Sequence, residues 1–345
     1  MKRSSLILPR KIESLQVLRF LGAMCITLYH FTGLQGDCPY DFSQAVYLFY
    51  MISGFVVMFS TRSPDKRKYF LTRRLIKTLP LYWGLTILTF IAGLAVPSFL
   101  GYTPTFPQLV KSLLFIPFRR TTAKAGSALR PIVGLGHTLQ IEMLFYILFL
   151  ISMRISHKYR GYIAAALAGV MAVIGIVFPT DNPVIHFYTV NRYSWFSFII
   201  GIAIYGVFTF IESRELKIGS RAVSAIAAVI AAGSCVPVFI SGLPVWYSLV
   251  MFGVILTAAL LWSVSGMHSP RFLVRLGDTS FSYYLIHQYI VALAVRLFAV
   301  NGPSVANFAI AAAVSALSWG IARVSWYLIE NKLVVFLQER IIKDG

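Results

Sequence analysis

The chain has 345 residues, 58% of them apolar and only 12% charged, with a formal net charge of +19. A soluble domain carries about 25% charged residues, so this composition excludes a soluble globular protein. The basic residues sit mainly in short gaps between apolar blocks of roughly 18 to 24 residues, the length that spans a hydrocarbon core. That placement argues for membrane topology and against a nucleic-acid partner.

The blocks predict an all-α polytopic membrane protein of about ten transmembrane helices. They fall at 15–34, 43–61, 78–100, 137–153, 161–179, 193–211, 222–240, 244–264, 276–299 and 304–331. Residues 1–14 are read as a cytoplasmic segment, 15–332 as one membrane domain and 333–345 as a cytoplasmic tail. The first block is taken as a retained span, since it is too long for a signal-peptide core. Of the 31 Lys and Arg residues, 22 lie in one alternating set of gaps and six in the other. Loops rich in Lys and Arg stay inside, so both termini are expected in the cytoplasm. Cys25, Cys38 and Cys235 form no metal-ligand or disulfide spacing, and no metal site is expected.

Ionisable groups inside a membrane are costly and mark functional candidates. The first span holds Arg19 and His30. Eleven residues at 100° each come about 20° past three turns, so both project from one face, separated by roughly 16 Å. Snorkelling of Arg19 and an interfacial His30 is the structural alternative. Ser53-Gly54 in the second span allows close helix packing or leaves room for a ligand. The next gap carries seven positive charges within residues 62–77, including Arg73, Arg74 and Lys77. Forked guanidinium donors suit phosphates, so a nucleotide is expected here. Residues 101–136 carry five more positive charges, with a short interfacial or re-entrant helix expected near 106–117. Headgroup contact is the preferred reading of those charges and an acidic acceptor polymer the alternative. Glu142 lies in the fourth span, at a depth where it is expected to meet His30 and orient its ring. His287 lies midway along the ninth span, and Glu330 ends the tenth.

In order, these segments resemble the acyltransferase-3 family of bacterial membrane acyltransferases. The resemblance rests on Arg19 and His30, the stretch from Phe49 to Phe55, and Arg73 to Trp83 with Lys77 in place of a third Arg. It continues through Thr138 to Tyr146, with His137 in place of a Trp, then Ser280 to His287 and Tyr327 to Glu330. The matches run from residue 15 to 332. The resemblance implies acyl transfer from acetyl-CoA or another acyl-CoA, as co-substrate, to a hydroxyl of a polysaccharide or lipid-linked glycan. It implies a chain of the kind lacking an extra esterase-like domain, in the bacterial inner membrane and in contact with its lipids. On this reading His30, Glu142 and Arg19 are catalytic. Arg73, Arg74, Lys77 and Ser53 bind the coenzyme, while His137, Tyr146 and His287 are candidates for binding the acceptor. A lipid-linked sugar flippase without chemistry is the alternative, in which the same groups would guide a substrate.

Overall fold

The structure is a computed structural model that describes residues 12–32, 41–122, 126–178, 180–213, 229, 233, 243–298 and 305–343. It is an all-α polytopic membrane protein. Eight helices among the described residues are long and apolar enough to cross a membrane.

The helices are α1 (Glu13–Thr32), α2 (Ala45–Ser60), α3 (Phe70–Ala95), α4 (Pro97–Leu100), α5 (Phe106–Leu113), α6 (Gly136–Ile155) and α7 (Arg160–Val177). They continue with α8 (Pro183–Val190), α9 (Arg192–Ser213), α10 (Val245–Val264), α11 (Arg271–Asp278), α12 (Ser280–Phe298), α13 (Val305–Ser325) and α14 (Val334–Lys343). Two short strands, β1 (Arg119–Thr122) and β2 (Gly126–Leu129), pair antiparallel between α5 and α6.

Lipid tails are as apolar as leucine, so helices in a membrane associate through close packing and hydrogen bonds. The α2–α9 pair shows this. A Cβ on Gly54 would collide with the Phe198 carbonyl oxygen, and one on Gly201 would collide with that of Met51. Each helix therefore has a glycine where the other's backbone arrives. Around this contact Phe145 stacks on Phe198 at 3.8 Å between centroids, inside a core that includes Phe55, Phe149 and Trp195. The Ser53-Gly54 pair thus serves helix packing: Gly54 admits α9, and Ser53 bonds to Glu142 on α6.

Helix α1 is threaded among α2, α10, α11, α12 and α13. The Thr27 hydroxyl donates to Tyr283 Oη at 2.6 Å, and Tyr283 stacks on Trp319 at 3.9 Å. These contacts hold the His30 end of α1 against α12 and α13. The segment between α3 and α6 is pinned through Ser112. Its carbonyl accepts from Tyr82 Oη at 3.0 Å, and its hydroxyl accepts from the Ile132 amide at 3.0 Å.

Four sequence boundaries need correction or comment. Helix α3 begins at Phe70, not 78, so Arg73, Arg74 and Lys77 ride on its first turns instead of a loop; their long stems carry the charges away from lipid. The span expected at 276–299 is divided at Thr279 into α11 and α12. The last helix continues past 331 through a π-helical stretch, Trp326–Leu333, into α14, so residues 334–343 are helical. The span expected at 222–240 lies outside the described residues, apart from 229 and 233.

Replacing Gly201 by Ala should force α2 and α9 apart, and overpacking of this kind costs about 1–3 kcal/mol. Melting of the detergent-solubilised protein should fall accordingly. A melt equal to wild type would show that the contact is not tight.

Candidate functional site

The ionisable groups gather in two cavities, one above the other along α1. Toward the N-terminal half of α1, Arg19 lines a narrow cavity of about 80 Å³ with Phe49, Tyr50, Thr138, Glu142, Ser280 and Tyr284. Glu142 sits on α6, nearly two turns in from Gly136, and its Oε1 accepts two hydrogen bonds. One comes from Ser53 Oγ at 2.7 Å and the other from Tyr146 Oη at 2.5 Å. Ser53 and Tyr146 also lie 3.2 Å apart. A half-buried carboxylate with two hydroxyl donors is held in one rotamer and tied to α2.

Cations surround that carboxylate. Lys77 lies within electrostatic reach of Arg19, Arg74, Glu142 and Glu330. Its side chain is accessible to water although protein surrounds it, as expected of a residue facing an internal cleft. Arg74 packs its guanidinium over the Tyr146 ring at 5.1 Å and donates to Ser60 Oγ at 3.2 Å. Arg73 is exposed at the edge of the same helix. From the far side, Glu330 accepts from Ser282 Oγ at 2.7 Å. The carboxylate comes from the π-helical stretch Trp326–Leu333. Such stretches are rare and recur at functional sites.

Toward the C-terminal end of α1, three imidazoles converge. The His30 and His287 rings are 5.4 Å apart between centroids, and His137 is within electrostatic reach of His30. His287 is fully buried. Its Nδ1–H donates to the Tyr283 carbonyl at 3.1 Å, leaving Nε2 as a bare acceptor with no partner among the described residues. His137 donates in the same way from Nδ1 to the Gly134 carbonyl at 2.9 Å. A backbone carbonyl on one ring nitrogen fixes the tautomer, so both flanking rings turn an acceptor nitrogen away from the backbone. His30 itself opens into a second cavity of about 380 Å³, together with Thr89, Arg120, Arg130, Gln288 and Arg296.

The expected pairing of Glu142 with His30 is corrected by this arrangement. Glu142 is engaged by Ser53 and Tyr146 and shares its cavity with Arg19, whereas the neighbour of His30 is His287. Helical geometry explains the error. Glu142 lies level with Arg19, whereas His137 at the start of α6 is the residue level with His30, so the depth inferred from span boundaries does not hold. Tyr146 is likewise brought to Glu142 and Arg74, away from the His30 cavity. Ser53, Arg74 and Lys77 do converge on the Arg19 side, and His137 and His287 do converge on His30.

Tyr284 stands between the two groups. Its hydroxyl is 3.1 Å from Thr138 Oγ1 at the Arg19 cavity, and its ring is 6.1 Å from that of His287. Sequence reasoning has Arg120 and Arg130 only among the five charges of residues 101–136, and it assigns no site role to Gln288 and Arg296. A signal exists for the last two: Gln288, Ala292 and Arg296 recur every four residues and so share one stripe of α12.

A family profile described as Acyltransferase domain matches residues 12–323. The chain is 26% identical over 297 residues to "Exopolysaccharide production protein ExoZ" of Rhizobium meliloti (strain 1021), covering 83% of this chain and 88% of that protein. No solved structure matches the chain. Among the described residues no group of three or more His, Cys, Asp and Glu could hold a metal ion.

Tyr146→Phe should remove one of the two donors to Glu142, a loss of about 1–3 kcal/mol in thermal stability. Ser53→Ala and the double variant complete a cycle. Strict additivity of the two changes would show that the hydroxyls do not act on one carboxylate.

Proposed function

Because this chain belongs to the acyltransferase-3 family, we propose that it moves an acyl group, acetyl in the simplest case, from a coenzyme A thioester to a sugar hydroxyl. The acceptor is a cell-surface or exopolysaccharide glycan, as the printed name of the Rhizobium relative suggests. One observation carries the proposal: α1 directs Arg19 into one cavity and His30 into another. The two residues are about 16 Å apart along the axis, comparable to an extended pantetheine arm.

The donor enters from the Arg73, Arg74 and Lys77 side, the cytoplasmic side by the distribution of Lys and Arg. Those cations take the phosphates of the coenzyme. Arg19 holds the chain below Tyr284. Glu142, fixed by Ser53 and Tyr146, sets the charge and shape of the passage and has no role as partner to His30. The enzyme sits in the bacterial inner membrane, with the His30 cavity opening toward the far side.

At His30, the imidazole accepts the proton of the acceptor hydroxyl as its oxygen attacks the thioester carbonyl. The new C–O bond forms, the C–S bond breaks, and the thiolate leaves with the proton that His30 returns. Gln288, lining the same cavity, supplies an amide donor to the developing oxyanion. His287 orients His30 by packing of the two rings, 5.4 Å apart between centroids, a part that sequence reasoning assigns to Glu142.

His30→Ala should abolish acyl transfer, a loss of about 10²-fold or more for a general base, while the protein remains in the membrane. Mass spectrometry of the glycan product reads the outcome, and undiminished acylation would remove His30 from the mechanism. His287→Leu should lower kcat with the KM for the thioester unchanged, whereas Arg73→Gln with Arg74→Gln should raise that KM. The reverse pattern would exchange the two cavities' roles.

A further inference from the structure

The lining of the His30 cavity is one-sided in charge. Arg120 reaches it from β1, Arg130 from the segment between β2 and α6, and Arg296 from α12. Among the described residues no carboxylate lines it. Arg120 packs over the Tyr102 ring at 5.1 Å, and its Nη1 makes a long 3.5 Å contact to the Pro131 carbonyl. Its Nε is buried and has no hydrogen-bond partner among the described residues. Three guanidiniums that line one cavity repel one another unless an anion joins them.

Lipid headgroups alone do not account for this. Headgroup contacts spread along the outer rim of a protein, whereas these arginines come from three separate elements to the residue proposed as the base. The cavity, about 380 Å³, is within the size range of small-molecule sites. Along the α12 stripe the side chains run from Gln288, next in sequence to the imidazole that flanks His30, to Arg296 two turns beyond it. The stripe thus runs from a neutral amide beside the imidazole that flanks His30 to a cation two turns away.

We propose that this cavity is an anion-reading acceptor subsite, in which Arg120, Arg130 and Arg296 select a glycan bearing a carboxylate or phosphate close to the hydroxyl that His30 deprotonates. The inference rests on the acyl-transfer reading for the role of His30, but the subsite is tested by binding alone. Guanidinium groups engage a carboxylate or phosphate through two parallel hydrogen bonds. At Arg120, which is partly buried while Arg130 and Arg296 are exposed, such bonds are worth more than on an open surface.

The test uses the full-length protein in nanodiscs of neutral lipid and isothermal titration with three probes. These are a glucuronate-containing disaccharide, its glucose counterpart with the same linkage, and inorganic diphosphate. The wild type should bind the glucuronate form about tenfold more tightly than the glucose form, or better. Arg130→Gln and Arg296→Gln should erase that preference, and Arg130→Lys should keep part of it, which separates a lost charge from a lost fold. Preference for diphosphate over glucuronate assigns the anion to the phosphates of a lipid-linked sugar, and the reverse assigns it to the sugar itself. Equal binding of the charged and neutral disaccharides, binding of no probe, or a preference that survives both glutamine variants overturns the subsite. The acyl-transfer reading stands or falls separately, on the His30→Ala product.

Discussion

A charge at the centre of a bilayer costs about 2.5–3.5 kcal/mol even on the lenient insertion scale, and that cost organises this protein. Helix α1 carries both an arginine and a histidine, so its polar stripe has to face protein. It does so by being threaded among α2, α10, α11, α12 and α13. The neighbours then have to supply polar partners at two depths. Ser53, Glu142, Tyr146, Lys77 and Glu330 gather near Arg19, and His137 and His287 gather near His30. The two cavities follow from one stripe.

The same cost explains how the site is held. The polar groups that shape the cavities are fixed by a neighbour on another helix or by a backbone carbonyl. Ser53 and Tyr146 grip Glu142, Ser282 grips Glu330, and the carbonyls of Tyr283 and Gly134 grip His287 and His137. The bonds from Ser53 and Ser282 that hold the two carboxylates in place are therefore also bonds between helices. The candidate site and the packing draw on the same residues, so a variant at Ser53 or Ser282 loosens a contact between helices as well as the carboxylate it holds.

Much of this is legible in the sequence, and the reasons are specific. Apolar block length indicates the class of fold, since backbone in lipid has to be helical. The eleven-residue spacing places Arg19 and His30 on one face, because helical phase is fixed arithmetic within a single helix. Between helices the arithmetic fails. Depth estimated from span boundaries pairs Glu142 with His30, and the pairing does not hold because α6 sets Glu142 at the level of Arg19 and Ser53. Three cations near the start of α3 read as a loop, although their stems let a helix carry them. The charges of residues 101–136 read in sequence as headgroup contact, with an acidic acceptor as the alternative, and only folding of the segment before α6 brings Arg120 and Arg130 to the cavity.

The π-helical stretch Trp326–Leu333 has its own consequence. A π turn accommodates more residues than an α turn, so the helical phase before it and the phase after it are offset. Glu330 sits inside the offset, where Ser282 can reach it. Were the stretch to slip back into α form, Glu330 would swing round the axis and α14 would be rewound relative to α13. The carboxylate is thus held inward by a local irregularity of winding, and the register of the chain's last helix is bound to the same irregularity.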